Sequence, residues 1–120
     1  MITTKNVSEL THQALAPLVP TFPVVVDALE GNEEIGECAW YRLTPTELMT
    51  KDKHGNNADL QVAIVCDSYD RALTLSEEAM SALRLTMERS NVGVQAFTTS
   101  FEYSQEDVKH IAYLSTYLVY

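Results

Sequence analysis

The sequence predicts an α+β fold in which two helices pack on an antiparallel β-sheet of about five strands, in the order α-β-β-β-α-β-β. Two segments, residues 7–18 and 69–87, repeat apolar residues at helical spacing. Other segments alternate apolar and polar residues, as strands with one buried face do. The 120-residue chain has no internal repeat, low-complexity stretch or linker, so we expect a single domain over residues 1–120.

The first predicted helix has an apolar face made of Val7, Leu10, Ala14 and Leu18. Asn6 and Glu9, three residues apart, suit a capping box at its start. Pro17 and Pro20 end the helix, because the residue before a proline avoids the α region.

Three strands are predicted next. The first is "FPVVVDAL" (22–29), whose three valines are typical of a short strand buried on both faces. The second is "CAWYRLTPTELM" (38–49), where Pro45 indicates a bulge or a sheet edge. The third is "DLQVAIVCD" (59–67), whose apolar residues alternate on one face. The polar loop "TKDKHGNNA" (50–58) joins the last two strands into an extended hairpin.

The second predicted helix follows the third strand directly. Asp67 or Ser68 can cap it, and Asp70 in its first turn suits the positive end of the helix dipole. Glu77 and Glu78 are expected to face water. The face predicted to pack on the sheet is Tyr69, Ala72, Ser76, Ala79, Met80, Leu83 and Met87.

Two closing strands are predicted, "VGVQAFTTSFEY" (92–103) and "HIAYLSTYLVY" (110–120), joined by the turn "SQEDVK". In the first of them, one side is expected to carry Gln95, Phe97, Thr99, Phe101 and Tyr103.

Charge and hydropathy narrow the classes of function. The net charge of −9 opposes direct nucleic-acid recognition, which requires Lys and Arg against phosphates. It also opposes binding to anionic membrane surfaces, and no apolar run is long enough to span a bilayer. The first ten residues lack the apolar block of a signal peptide, so we expect a cytoplasmic origin and, if anything, a basic protein partner.

No pattern in the sequence predicts catalysis. His12, His54 and His110 lie in no catalytic signature, and there is no phosphate-binding glycine loop. Cys38 and Cys66 match no zinc spacing and are expected to be half-buried thiols. We therefore expect no catalytic residues, no cofactor and no metal site.

Aromatic residues are the notable surface feature. Four of the six tyrosines, at positions 103, 113, 117 and 120, fall in the C-terminal hairpin. They either cover the sheet face opposite the helices or form a subunit interface, where tyrosine is favoured. The sequence leaves both interpretations open.

The element order and one motif resemble the phage tail-terminator or tail-completion family. The motif runs from the "PVVV" strand (23–26) to "VAIVCDSYDRALTLSEEAMSAL" (62–83), where a strand leads through Asp67 and Tyr69 into a helix of spaced alanines and leucines. Two closing strands complete the pattern, which covers nearly the whole chain. Asp27 departs from it, since members often carry an aromatic residue after the valines.

The resemblance implies a structural function without catalysis. Such proteins form a ring, usually of six subunits, that caps the tail tube and provides the surface to which the head joins. It implies self-association, contacts with tail-tube and head-tail connector proteins, and a place in the virion tail or neck after assembly in the bacterial cytoplasm. The interface residues expected on this basis are Lys51, Asp52, Lys53, His54, Asn56, Asn57, Tyr113 and Tyr117.

The segment from Lys51 to Ala58 is expected to project from the hairpin and contact a neighbouring subunit or the tube. Two alternatives remain at this level. One is another neck component, such as a head-completion adaptor. The other is a small-molecule binding module or enzyme, which a deep pocket holding His110 or Arg42 would favour.

Overall fold

The computed structural model describes residues 2–23, 37–47, 56–105 and 108–120. These residues form two helices and a six-stranded sheet, which confirms the predicted α+β class with one strand more than expected. The elements are α1 (Thr4–Leu15), β1 (Thr21–Pro23), β2 (Cys38–Glu47), β3 (Asn56–Cys66), α2 (Tyr69–Arg89), β4 (Gly93–Val94), β5 (Thr98–Ser104) and β6 (Lys109–Val119).

The sheet has the strand order β1-β2-β3-β6-β4, and β5 also pairs with β6. All pairs are antiparallel except β1 with β2, which is parallel. The expectation of a wholly antiparallel sheet was therefore wrong at this edge. β1 begins at Thr21, and the valines predicted to form its centre lie outside the described residues.

Helix α1 starts one turn earlier than the sequence suggested. Thr3 is the N-cap, and its hydroxyl accepts a hydrogen bond from the Asn6 backbone N–H at 3.2 Å. The Asn6 side chain accepts in return from the Thr3 backbone N–H at 3.0 Å. A capping box exists, but Thr3 is its cap and Asn6 is the third helical residue, where the sequence analysis placed Glu9. The amide oxygen of Asn6 takes the part that a glutamate carboxylate usually plays. The helix ends at Leu15, ahead of Pro17 as predicted.

Helix α2 is capped by Ser68, whose hydroxyl accepts from the Arg71 backbone N–H at 3.2 Å. Its buried residues are Ala72, Leu75, Ser76, Ala79, Leu83 and Met87. Tyr69 lies on the predicted side, with its ring centroid 5.6 Å from that of Phe101, but it is 49% exposed at the first turn. Leu75 was missed. Glu77 and Glu78 are exposed as expected. The Arg71 side chain bonds both carboxylate oxygens of Glu37 and so links the start of α2 to the residue before β2.

The β2–β3 hairpin is confirmed, with ten successive pairs from Cys38↔Val65 to Glu47↔Asn56. Residues 56–58, predicted as loop, instead belong to β3, because they continue this ladder with β2, and Asn57 and Ala58 also pair with β6. Pro45 lies inside the ladder without a break in register. The Ala39 N–H points away from β3 and donates a hydrogen bond to the Pro20 carbonyl. Because main-chain groups alternate in direction along a strand, the nitrogen of Pro45 also faces the outer edge, where its missing N–H breaks no bond with β3.

A β-bulge divides the strand predicted over residues 92–103. Gly93 pairs with Val119 and the Gln95 N–H bonds the Tyr117 carbonyl, whereas Thr98 pairs with Ser115. The chain thus advances three residues from Gln95 to Thr98 while β6 advances two, from Tyr117 to Ser115. The extra residue moves the side chains that follow it to the opposite faces of the sheet from those that unbroken alternation predicts. Gln95 therefore lies on the opposite face from Phe101, contrary to the expectation from alternation.

Both helices pack on one face of the sheet and enclose the main core. The central contributions of β3 are Leu60, Val62 and Ile64, each about 1% exposed. They meet Val7 and Leu15 of α1 and the buried residues of α2. Cys38 and Cys66 are also fully buried, more deeply than predicted. No helix in the described part of the chain is long and apolar enough to cross a membrane.

Candidate interface on the distal face of the sheet

The sheet face that points away from α1 and α2 is the candidate functional surface, and we call it the distal face. Because directly opposed residues in antiparallel strands share a face, the registers define its rows across β2, β3 and β6. The rows are Cys38–Val65–Ile111, Trp40–Ala63–Tyr113, Arg42–Gln61–Ser115 and Thr44–Asp59–Tyr117, followed by the pair Asn57–Val119.

One end of the distal face is apolar. Cys38, Ala63, Val65 and Ile111 form a second buried cluster, separate from the main core. Trp40 and Tyr113 pack against this cluster and remain partly exposed. Ala63 lies between Trp40 and Tyr113 in the same row, and its small side chain leaves room for one large ring on each side.

The centre of the distal face holds a shallow cavity of about 290 Å³. It is lined by Trp40, Gln61, Val62, Tyr113, Leu114 and Ser115. Two aromatic rings beside an amide and a hydroxyl provide apolar contact area together with hydrogen-bonding groups. Such a combination suits the side chain of a protein partner.

The phenol of Tyr113 on this face has a raised pKa. Burial raises the pKa of its phenol, and the negative charge of Glu102 on β5 raises it further. A neutral phenol both donates and accepts a hydrogen bond, and its ring adds apolar contact. Tyr113 therefore has the properties that make tyrosine common at interfaces.

The other predicted interface residues are distributed differently. Tyr117 lies on the distal face and is partly exposed, next to exposed Asp59. Asn57 is only 7% exposed, so it offers little contact area, contrary to the expectation. Its side-chain oxygen is buried and accepts no hydrogen bond from the residues that the structure describes. Asn56 pairs with Glu47 through its backbone, and residues 51–54 lie outside the described residues.

The four C-terminal tyrosines do not share one face. Tyr113 and Tyr117 lie on the distal face, but Tyr103 packs at 4.8 Å against the His110 ring on the helix side. Tyr120 lies against the main core, and its hydroxyl is 2.7 Å from that of Thr4. The first interpretation therefore holds for Tyr113 and Tyr117 but not for Tyr103 and Tyr120, and the interface interpretation stays a prediction.

The two residues proposed for a small-molecule pocket lie on opposite faces. Arg42 is on the distal face, whereas His110 is opposite Cys66 on the helix side, between Tyr69 and Tyr103. Neither of them lines the cavity on the distal face. A second cavity of about 400 Å³ lies between α1 and β2, lined by Ser8, Glu9, His12, Gln13 and Tyr41. Within the described ranges, no group of three or more His, Cys, Asp or Glu side chains could hold a metal ion.

Trp40, Gln61 and Ser115 line the cavity on this surface, and the sequence analysis did not place them at an interface. Alternation of side chains along β2 places Trp40, Arg42 and Thr44 on one side of that strand, and this local signal is sufficient for β2 alone. It could not show which residues of β3 and β6 stand beside them, because that depends on register.

Comparison with known proteins does not assign the chain to a family. No protein-family model matches it, and no curated protein is significantly similar to it.

Proposed function

We propose that this protein is a structural tail-terminator or tail-completion protein of a phage or prophage. In this proposal it forms a ring on the end of the tail tube and provides the surface that joins the tail to the head. Its partners are further copies of itself, the tail-tube protein and head-tail connector proteins. It works by binding and carries out no catalytic step.

The observation that carries the proposal is the distal face. This face combines partly exposed Trp40, Tyr113 and Tyr117 with a shallow cavity, on strands of ten or eleven residues. Both helices pack on the other side. A long, aromatic-bearing sheet face of this kind is suited to a protein partner, since aromatic anchors supply most of the binding free energy at interfaces.

The fold supports the same proposal at a coarser level. The observed order of helices and strands is the order on which the resemblance to the tail-terminator family is based, except that the strand predicted over residues 92–103 is divided into β4 and β5. The hairpin of β2 and β3 extends the sheet, and it carries residues 51–54 between two ordered strands. Those residues contain two lysines, a histidine and an aspartate, which suits contacts with a charged neighbouring surface.

Light scattering over a range of protein concentrations, alone and with the cognate tail-tube protein, tests the proposal. We expect a species near six times the 13.4-kDa protomer mass, formed alone or on the tube. Tyr117→Ser should reduce this assembly, because it removes an exposed ring from the distal face. Tyr69→Ser is the matched control, since Tyr69 is exposed on the helix side. Absence of any ring-sized species with or without tube protein would contradict the proposal.

A second variant tests the loop. The even-numbered residues of β2 direct their main-chain groups toward β3, so Thr46↔Asn57 is the last hydrogen-bonded pair. Replacing residues 47–56 by Asn-Gly should therefore close a two-residue hairpin and preserve the fold. We expect the shortened protein to lose ring assembly or tube capping. If both survive, the loop has no part in assembly. Binding to head-side particles only would favour a neck adaptor instead.

A further inference from the structure

The outer edge of β5 is a second candidate interaction surface, separate from the distal face. β5 pairs with β6 along Thr98–Ser104, and no other described strand pairs with β5. The edge is seven residues long and contains no proline. Long strand edges with free main-chain groups readily pair with another strand.

The direction of the β5 main-chain groups follows from a neighbouring hydrogen bond. The Tyr117 carbonyl accepts a hydrogen bond from the Gln95 N–H, so the main-chain N–H and C=O groups of the odd-numbered β6 residues point toward β4 and β5. Ser115, Tyr113 and Ile111 therefore bond with Thr98, Ser100 and Glu102, which they face in the register. The N–H and C=O groups of Thr99, Phe101 and Tyr103 consequently point outward.

The opposite edge of the sheet is protected, which makes the β5 edge distinctive. On β2, Ala39–Tyr41 is covered by β1. Farther along, Pro45 occupies an outward-pointing position and offers no N–H to an incoming strand. Natural sheets use such prolines and short edge strands to prevent pairing. β5 carries neither device, and Glu102 is its only charged residue.

We propose that β5 pairs antiparallel with β5 of a second copy of this chain, about a twofold axis through Phe101. This register sets Thr99 opposite Tyr103 and Phe101 opposite itself. All three outward-pointing residues then face each other, and three pairs with two hydrogen bonds each give about six main-chain hydrogen bonds. The sheet continues from one copy into the next, with the helices of both copies on the same side.

The side chains of β5 suit its own copy. Glu102 faces Ser100 of the second copy, so the only charges on the two strands do not oppose each other. Tyr103 is 51% exposed and meets the β-branched Thr99, and Phe101 meets an aromatic ring. Both are favourable cross-strand combinations. This inference is independent of the proposed function, because a twofold dimer through β5 does not use the distal face.

Thr99→Pro tests the pairing with little effect on the monomer. Its N–H points outward, so proline removes a donor from the free edge and none from the ladder with β6. We expect a dimer of twice 13.4 kDa for the native sequence and, for Thr99→Pro, a dissociation constant raised on the order of tenfold or more. Thr99→Val keeps the N–H and is the matched control for loss of the hydroxyl, which contacts the Met80 sulfur at 3.6 Å.

A charge pair at Ser100 tests the register and does not depend on tolerance of proline. Ser100→Lys would face Glu102 of the second copy and should tighten the dimer, whereas Ser100→Glu should weaken it, each about two- to fivefold. Sedimentation equilibrium gives the dissociation constants, and circular dichroism verifies the fold. A monomer at every concentration, or equal constants for the lysine and glutamate variants, would overturn the proposal. A dimer without a ring on the tube would leave it standing while contradicting the proposed function.

Discussion

The hydroxyl oxygens of Thr4 and Tyr120 lie 2.7 Å apart, so a hydrogen bond joins the first residue of α1 to the residue that follows β6. The two residues are 116 positions apart in sequence. The Tyr120 ring packs against the main core, which also contains Val7 and Leu15 of α1. The bond therefore helps to fix where α1 begins on the helix side of the sheet.

Tyr120→Phe should lower the free energy of unfolding by about 0.5–1.5 kcal/mol, because it removes this hydrogen bond and keeps the ring. Urea unfolding measures the change. Thr4→Val and the double variant complete a cycle in which the two effects should be less than additive. Full additivity would mean that the two hydroxyls do not interact in solution.

Leu83→Ala should destabilise the protein by about 2–5 kcal/mol, because it leaves a cavity in the core between α2 and the sheet. Leu83 is 1% exposed. Leu85→Ala is the matched control on the same helix, since Leu85 is 51% exposed and its truncation should change the free energy of unfolding by less than about 0.5 kcal/mol. Equal effects in urea unfolding would contradict the orientation of α2 described above.

Cys66 should make the protein less stable in alkaline solution. Burial, and after it the charge of Glu37, raises the pKa of the Cys66 thiol from 9.0 to about 11. The unfolded chain therefore releases the proton at lower pH than the folded chain does. The free energy of unfolding should keep this contribution below pH 9 and lose it progressively from there through pH 11.

Urea unfolding at a series of pH values measures this dependence. Cys66→Ala should give a shallower decline than the native sequence between pH 9 and 11, while the contribution of Cys38, whose pKa is also raised by burial, remains. An unchanged slope would show that Cys66 does not titrate in this way. At neutral pH, a thiol reagent should modify both cysteines only after unfolding, because both thiols are buried in the folded chain and the reagent cannot reach them.

Short-range patterns of apolar residues were sufficient to locate most of the helices and strands. Alternation located β2 and β3, and the i, i+3, i+4 spacing located both helices, because each pattern reflects one element packing on one core. Ser68 was one of the two caps predicted from position before the apolar face, and the structure selects it over Asp67. The prediction that Pro45 marks an edge was also correct, since a residue without an N–H fits where no described strand pairs.

What depended on register and on long-range contacts was decided only by the tertiary structure. Alternation predicted Gln95 and Phe101 on one face, but the bulge between β4 and β5 separates them, and only pairing with β6 creates that bulge. The distal face likewise requires Trp40 and Tyr113 to stand on either side of Ala63, in strands far apart in the sequence. The sequence by itself determined which residues form helices and strands, since those preferences are local. The alignment of the strands, and with it the composition of each surface, was set by packing across the whole sheet.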